Sequence, residues 1–134
     1  MRYLLDTNIC LYLMKAHPPG VLARLVQLDH GDAVMSIITY AELRVGLKPL
    51  GPTRAQNERA LQLLTRDIPV LPFDQAAAER YGVMRAAVRD RRRDAFDRLI
   101  AAHAASLDLI LITNNEADFR DYPGLLVENW MQET

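Results

Sequence analysis

Short runs of apolar residues alternate along the chain with longer segments in which apolar residues recur every three or four positions. The short runs predict β-strands near residues 3–5, 33–36, 69–71, 109–112 and 125–127. The longer segments predict amphipathic helices, because side chains on one helix face repeat about every 3.6 residues. Strands that alternate with helices are typical of βαβ units, so the pattern indicates an α/β fold around a mainly parallel sheet of four to five strands.

The predicted helices occupy the intervals between these strands. The first runs from about Thr7 to Lys15 and ends before Pro18 and Pro19, because proline cannot donate an interior amide hydrogen bond. Asp74 is placed to cap the helix after the third strand, where its side chain can accept hydrogen bonds from free amides. The other predicted helices cover residues 21–28, 39–46, 53–66 and 95–106.

Length, composition and charge narrow the class of protein. At 134 residues the chain predicts one domain, residues 1–134, since it can bury one sizeable core but not two. With 50% hydrophobic residues and a net charge of −1, the composition excludes a disordered chain and a strongly basic surface. The single Cys10 excludes an internal disulfide, and no apolar stretch reaches the roughly 18 residues of a membrane span. These features predict a cytoplasmic protein with no membrane partner.

Acidic residues lie where α/β proteins bind ligands, at the carboxyl ends of parallel strands. Asp6 directly follows the first strand, and Asp118 follows the fourth strand after the polar run 113–115. Glu42 and Asp97 lie between them in the chain, each within a segment that is apolar on both sides of the acid. An ionised carboxylate is costly to bury alone, and clustered carboxylates repel each other. Four acids in such surroundings therefore predict a bound cation.

Each acid also has a structural explanation when it is considered alone. Asp6 and Asp118 could serve only as caps of the segments that follow them. Glu42 could lie on a solvated helix face, and Asp97 could complement the dipole of a helix N-terminus. The apolar context of the whole set is what favours a functional role.

A shortage of neighbouring basic residues favours a metal ion over an internal ion pair. Arg44 and Arg98 are close to two of the acids in sequence, but neighbours along a helix point in different directions. Carboxylate oxygens suit Mg²⁺ or Mn²⁺, which hold one or two carboxylates and keep several waters. Zinc is less favoured, because His17, His30 and His103 lack paired ligand spacing.

Several segments together resemble a known family. They are residues 4–8, 36–46, 97–104, 112–115, 123–125 and 127–130, which read LLDTN, SIITYAELRVG, DRLIAAHA, ITNN, PGL and VENW. From Tyr3 to Trp130 the chain resembles the PIN-domain ribonucleases and, more narrowly, the VapC toxins of bacterial type II toxin–antitoxin pairs. The resemblance implies a PIN-like three-layer α/β/α sandwich.

The resemblance also implies roles for the acids and for the polar residues around them. Asp6 and Asp97 match the family's principal metal-binding aspartates, and Glu42 matches its third acidic residue. Asp118 falls near the fourth acidic position, which is the least constant. The residues that match the polar lining of the family's pocket are Thr7, Asn8, Thr113, Asn114 and Asn115.

An activity and partners follow from the resemblance as expectations. It implies Mg²⁺-dependent endonucleolytic cleavage of RNA, with tRNA or rRNA as the expected target and Mn²⁺ as an alternative ion. A water activated by the metal would attack the phosphodiester. The resemblance further implies a homodimer and a VapB-type antitoxin that occupies the active-site groove.

One stretch departs from the family pattern. Relatives commonly carry a loop with Gly and Pro ahead of the position of Asp97, whereas this chain has Arg91, Arg92, Arg93 and Asp94. The three arginines could contact the RNA backbone beside the metal. Alternatively, they form a solvated helix end or contact the antitoxin or a second protomer. Asp94 could join the acidic group or pair with Arg91.

Other functions fit the residues less well. A phosphatase of the haloacid-dehalogenase type needs an aspartate two residues after the strand-end aspartate, where this chain has Asn8. A receiver domain needs a lysine late in the chain, and no lysine follows Lys48. The main alternative is a catalytically inactive PIN-like module that binds RNA or protein. Retention of all four acids favours the enzyme.

Overall fold

The computed structural model describes residues 1–47, 52–88 and 95–131. Its strands are β1 (Tyr3–Leu5), β2 (Ala33–Ser36), β3 (Val70–Leu71), β4 (Ile110–Ile112) and β5 (Leu126–Glu128). Its helices are α1 (Thr7–Lys15), α2 (Pro19–Leu25), α3 (Ile37–Val45), α4 (Pro52–Asp67), α5 (Gln75–Ala87), α6 (Ala95–Ser106) and α7 (Glu116–Phe119). None of the described helices combines the length and the apolar composition that crossing a membrane requires.

The five strands form one sheet in the order β3-β2-β1-β4-β5, and every neighbouring pair is parallel. At the centre, Leu5 is in register with Met35 on one side and with Ile112 on the other. The chain builds outward from β1 to β3 and then crosses to β4 on the opposite side. The strand order therefore reverses between β1 and β4, and a crevice forms outside the carboxyl ends of strands at such a reversal.

Hydrophobic residues pack on both faces of the sheet, as the predicted sandwich requires. One core contains Leu5, Met35 and Ile112 together with apolar residues of α1 and α4. The other contains Leu4 and Leu111 together with apolar residues of α5 and α6. Alternate strand residues thus enter different cores, because successive strand side chains point to opposite faces. The three-layer α/β/α architecture is confirmed.

The sequence pattern misplaced two element boundaries, and a local signal explains one of them. The α3 helix begins at Ile37 and not near residue 39, because the Ser36 hydroxyl accepts a 3.1 Å hydrogen bond from the amide of Ile38 and caps the helix. The α2 helix ends at Leu25 and not near residue 28. The predicted cap at Asp74 is confirmed, since its Oδ1 accepts a 2.9 Å hydrogen bond from the amide of Ala77.

Candidate active site

Asp6 sits at the carboxyl end of the central strand and is only 5% exposed. Its amide donates a 3.0 Å hydrogen bond to the carbonyl of Ile112, which extends the pairing of β1 with β4 by one residue. Its side chain caps α1, with Oδ1 accepting a 2.9 Å hydrogen bond from the amide of Ile9. The backbone of two strands and the first turn of a helix therefore fix the position of this carboxyl group.

The surroundings of Asp6 raise the pKa of its carboxyl group above the ordinary value of 3.8. Burial is the largest cause, and the negative charge of Glu42 adds to it. Hydrogen bonds from the Thr113 side chain and from the amides of Ile9 and Asn8 act in the opposite direction. The charged form of Asp6 is thus partly desolvated and faces a second acid, a situation that a bound cation would relieve.

Glu42 reaches this site from α3 and is held by the first residue of α1. The Thr7 hydroxyl lies 2.7 Å from Glu42 Oε1 and 3.3 Å from the hydroxyl of Thr39. Thr39 is fully buried one helical turn before Glu42. Thr39 was not predicted from the sequence as a site residue, although it lies one turn before the acid on the same helix.

The polar run after β4 closes the site from the other side. The Thr113 amide donates to the carbonyl of Glu128 over 3.1 Å, so the end of β5 fixes its backbone. The Thr113 hydroxyl also accepts a 3.1 Å hydrogen bond from the amide of Asn115. Asn115 in turn donates from its side chain to Asp118, in the first turn of α7. Asp118 is therefore connected to the polar residues beside Asp6.

Asn114 contains a buried amide oxygen that lacks a hydrogen-bond partner among the described residues. Its side-chain nitrogen donates to the hydroxyl of Tyr12 over 3.0 Å, whereas Oδ1 accepts nothing. A buried acceptor left unsatisfied costs about 1–3 kcal/mol. Asn114 directly follows Thr113, whose side chain hydrogen-bonds to Asp6, and its free oxygen is suited to a water molecule or to a hydrated cation.

Asp97 lies in the first turn of α6 and is half-buried. Only residues 107–109 separate the end of α6 from the start of β4, so the C-terminus of α6 lies toward the amino edge of the sheet. His103 of α6 contacts Ser36 at the carboxyl end of β2, so the N-terminal part of α6 lies toward the carboxyl edge. Arg98, the next residue, points elsewhere: it is 1% exposed and lies against the hydroxyls of Tyr122 and Tyr81. Topology thus places Asp97 at the same edge as Asp6.

The structure brings some of the predicted acids together more closely than others. Asp6 and Glu42 are near enough for the charge of one to affect the pKa of the other. However, across residues 1–47, 52–88 and 95–131, no three His, Cys, Asp or Glu side chains form a group that could hold a metal ion. Arg91, Arg92, Arg93 and Asp94 lie outside the described residues.

The donor chemistry of this edge nevertheless fits a hard divalent cation. The charge of Glu42 acts on the Asp6 carboxyl group, and neither residue forms a salt bridge within the described part of the chain. Arg44, the nearest arginine to Glu42 in sequence, instead pairs with Glu58. Mg²⁺ binds through one or two carboxylates and keeps most of its waters, so it does not require a closed cage of protein ligands.

The apolar sequence context of Glu42 and Asp97 did not mean that their segments are buried throughout. Both segments have a solvent face, since Ile37 is 39% exposed and Phe96 is 56% exposed. Each helix has a sheltered side and an open side, as an amphipathic helix at a surface does. Asn8 is also exposed, on the outer side of the first turn of α1.

The chain is similar in sequence to a known family and to characterised relatives. The family described as PIN domain matches residues 3–125. The chain is 37% identical to the tRNA(fMet)-specific endonuclease VapC of Shigella flexneri, over 97% of this chain and 98% of that protein. It is 38% identical to Ribonuclease VapC1 of Haemophilus influenzae (strain R2866), with the same coverage.

A solved structure shows the same similarity in three dimensions. VapBC2 from Rickettsia felis, bound to a DNA fragment from its promoter, superposes with a TM-score of 0.87. The sequence identity is 31%, and the match covers 97% of this chain and 99% of that chain. Sequence and backbone therefore agree along nearly the whole chain.

Proposed function

The chain belongs to the PIN-domain family, in which its relatives are VapC-type ribonucleases, and from this we propose that it is a metal-dependent endoribonuclease that acts as the toxin of a toxin–antitoxin pair. The observation that carries the proposal is the buried Asp6 facing the partly exposed Glu42 at the reversal of strand order. PIN-domain ribonucleases generally depend on a divalent metal. The cellular location that fits an RNA substrate is the cytoplasm.

We assign the metal to Asp6 and Asp97, with Mg²⁺ as the ion and Mn²⁺ as an alternative. When bound, the metal would polarise the scissile phosphate and lower the pKa of a water. Glu42 orients the attacking water and accepts its proton, while the Thr7 hydroxyl holds Glu42 Oε1 in place. Asp118 assists from the α7 side of the crevice, where the Asn115 side chain binds it.

The remaining polar residues position these groups. Thr113 donates to the Asp6 carboxylate and so favours its charged form, which is the form that binds a cation. Asn114 offers its otherwise unsatisfied Oδ1 to a water in the site. Asn8, at the exposed start of α1, and the arginines 91–93 contact the RNA strand in this proposal.

We propose tRNA as the substrate class. The Shigella flexneri relative is named a tRNA(fMet)-specific endonuclease and shares 37% identity with this chain over nearly its full length. Ribosomal RNA is the second candidate. Mapping of the 5′ ends of cellular RNA after brief expression of the wild-type protein and of Asp6→Asn would distinguish them.

A VapB-type antitoxin is the proposed protein partner, and a homodimer is the proposed assembly. The structural relative from Rickettsia felis was solved as VapBC2. Between α1, α2 and α4 the surface contains an apolar cavity of about 200 Å³, lined in part by Leu22, Leu25 and Leu63. Leu22 is 38% exposed and Leu63 is 47% exposed at its margin. An apolar segment of the antitoxin would cover these side chains.

The test of the enzyme is RNA cleavage in Mg²⁺ by the wild-type chain and by Asp6→Asn. Asp32→Asn is a matched control, because the Asp32 side chain also accepts a hydrogen bond from an amide, over 3.1 Å, but Asp32 directly precedes β2 and so lies at the opposite edge of the sheet. We expect Asp6→Asn to lose at least about 100-fold in rate and Asp32→Asn to cleave normally. Equal cleavage by all three proteins would refute the assignment. RNA binding without cleavage by the wild type would support the inactive module.

A further inference from the structure

A buried hydrogen bond joins the two helices that carry Glu42 and Asp97. His103 Nδ1 of α6 lies 2.7 Å from the hydroxyl of Ser36, the cap residue of α3. Ser36 is 0% exposed and His103 is 1% exposed. These two residues are 67 positions apart in the chain, so the bond is a tertiary contact between helices.

One assignment of hydrogens satisfies both ring nitrogens of His103. With the ring hydrogen on Nε2, that nitrogen can donate to the backbone of Pro72, and Nδ1 can accept the hydroxyl hydrogen of Ser36. The Ser36 oxygen accepts the amide hydrogen of Ile38 in the same arrangement. Phe73 packs edge-to-face on the ring with centroids 5.4 Å apart. His103 therefore connects α6 to the ends of both β2 and β3.

Each helix carries an acid of the proposed site six residues away from the Ser36–His103 bond. Glu42 follows Ser36 by six residues, and Asp97 precedes His103 by six residues. At a rise of about 1.5 Å per residue, each acid lies about 9 Å along its helix from the bond. A shift of one helix against the other would move one acid relative to the other.

We infer that His103 is a positioning residue, which through Ser36 sets the separation between Glu42 and Asp97. This inference rests on the proposed function, because the contact between His103 and Ser36 would serve to align the metal site. His103 does not touch the reacting atoms in this account. Its ring is buried where α6 meets the ends of β2 and β3, and its ring nitrogens face Ser36 and Pro72.

The experiment compares magnesium binding and turnover in His103→Leu and His103→Gln. Magnesium binding is measured as the Mg²⁺ concentration that gives half of the thermal stabilisation, a readout independent of catalysis. We expect His103→Leu to raise this concentration about 10- to 100-fold, as loss of an outer contact of a metal site does. Turnover should fall while KM for RNA stays unchanged, and His103→Gln should recover part of both, because its amide can bond to Ser36.

Ser106→Ala is the matched control on the same helix. The Ser106 hydroxyl donates to the carbonyl of His103 over 2.8 Å, so it is a hydrogen bond within α6 that joins no other element. We expect this variant to match the wild type in magnesium binding and in turnover. A shift in Ser106→Ala as large as that in His103→Leu would overturn the positioning role.

Ser36→Gly decides the question if His103→Leu does not fold. Glycine is accepted at helix N-caps with little loss, so this change removes the hydroxyl and leaves the cap largely intact. The inference requires Ser36→Gly to shift magnesium binding in the same direction as His103→Leu. Normal magnesium binding in a folded Ser36→Gly would overturn it. If the wild-type chain itself neither binds Mg²⁺ nor cleaves RNA, the proposed function fails first, and this result is distinct from failure of the variants alone.

Discussion

Thr7 and Glu42, which are 35 residues apart in the chain, share a hydrogen bond in which the Thr7 hydroxyl donates to Glu42 Oε1 over 2.7 Å. The bond joins the first turn of α1 to the middle of α3. Asp6, the cap of α1, immediately precedes Thr7. The position of one acid is thus linked to the position of the other through a single hydroxyl group.

Thr7→Val should lower RNA cleavage about 10- to 100-fold, because it removes the donor that orients Glu42 while it keeps the branched shape of the side chain. Thr7→Ser retains the hydroxyl and should stay close to the wild type. Initial rates at saturating Mg²⁺ provide the measurement. Equal rates for the valine and serine variants would show that Glu42 does not depend on this bond.

Asp6→Asn should be more stable than the wild type at pH 7 in the absence of metal. Burial raises the pKa of Asp6 above 3.8, so the folded state holds this proton to a higher pH than the unfolded state. Stability therefore falls as the pH rises from the unfolded pKa through the folded pKa, and it stays lower above that. Asparagine cannot ionise, and it caps a helix as well as aspartate does. The free energy of unfolding of Asp6→Asn therefore does not fall in this way as the pH rises.

Urea denaturation from pH 3 to pH 8 in EDTA would measure this effect of Asp6. The stability advantage of Asp6→Asn should be small at the acidic end, where the wild-type carboxyl is protonated, and largest at neutral pH. Asp32→Asn is again the control. A stability difference between Asp6→Asn and the wild type that is constant with pH would contradict the raised pKa.

Mg²⁺ should reverse the cost of ionising Asp6 and raise the melting temperature of the wild-type protein. A ligand present at 100 times its Kd stabilises the folded state by about 2.7 kcal/mol. Asp6→Asn and Asp97→Asn should lose most of this stabilisation, and EDTA should abolish it in the wild type. A magnesium effect of equal size in all three proteins would place the ion elsewhere.

The sequence predicted the sheet well because buried parallel strands appear as continuous apolar runs, of which Leu109 to Ile112 is an example. It did not predict the strand order, which depends on how distant strands pair. It also placed the start of α3 two residues late, because Ser36 was counted as the end of β2 and its second role as a cap was missed.

The candidate site could be predicted only as a set of residue types. Asp6 and Glu42 were identified from their apolar surroundings, and the structure places them together. The bonds of Thr7 to Glu42 and of Ser36 to His103 span 35 and 67 residues, and no local pattern encodes such pairs. The assignment of the metal to Asp6 and Asp97 stays a prediction.

Trp130→Ala should destabilise the fold by about 3–5 kcal/mol, which is the usual cost of removing a large buried aromatic side chain. Trp130 is 3% exposed, packs edge-to-face on Tyr3 with centroids 5.3 Å apart and donates to Glu128 Oε1 over 3.1 Å. Glu128→Gln should cost at most about 1 kcal/mol, because the ion pair of Glu128 with Arg24 is partly exposed to solvent. Chemical denaturation of the two variants would test this order.

Leu22→Glu and Leu63→Glu should weaken binding of the antitoxin while RNA cleavage by the free protein stays unchanged. Both side chains lie at the apolar cavity between α1, α2 and α4, and both are partly exposed, so a charge there is solvated in the free protein but buried in the complex. Val83→Glu is the control, since Val83 is 56% exposed on α5 and lies outside that cavity. The measurement is the antitoxin concentration that halves RNA cleavage. An increase in this concentration for the two leucine variants only would locate the antitoxin at this cavity, and an equal increase for Val83→Glu would not.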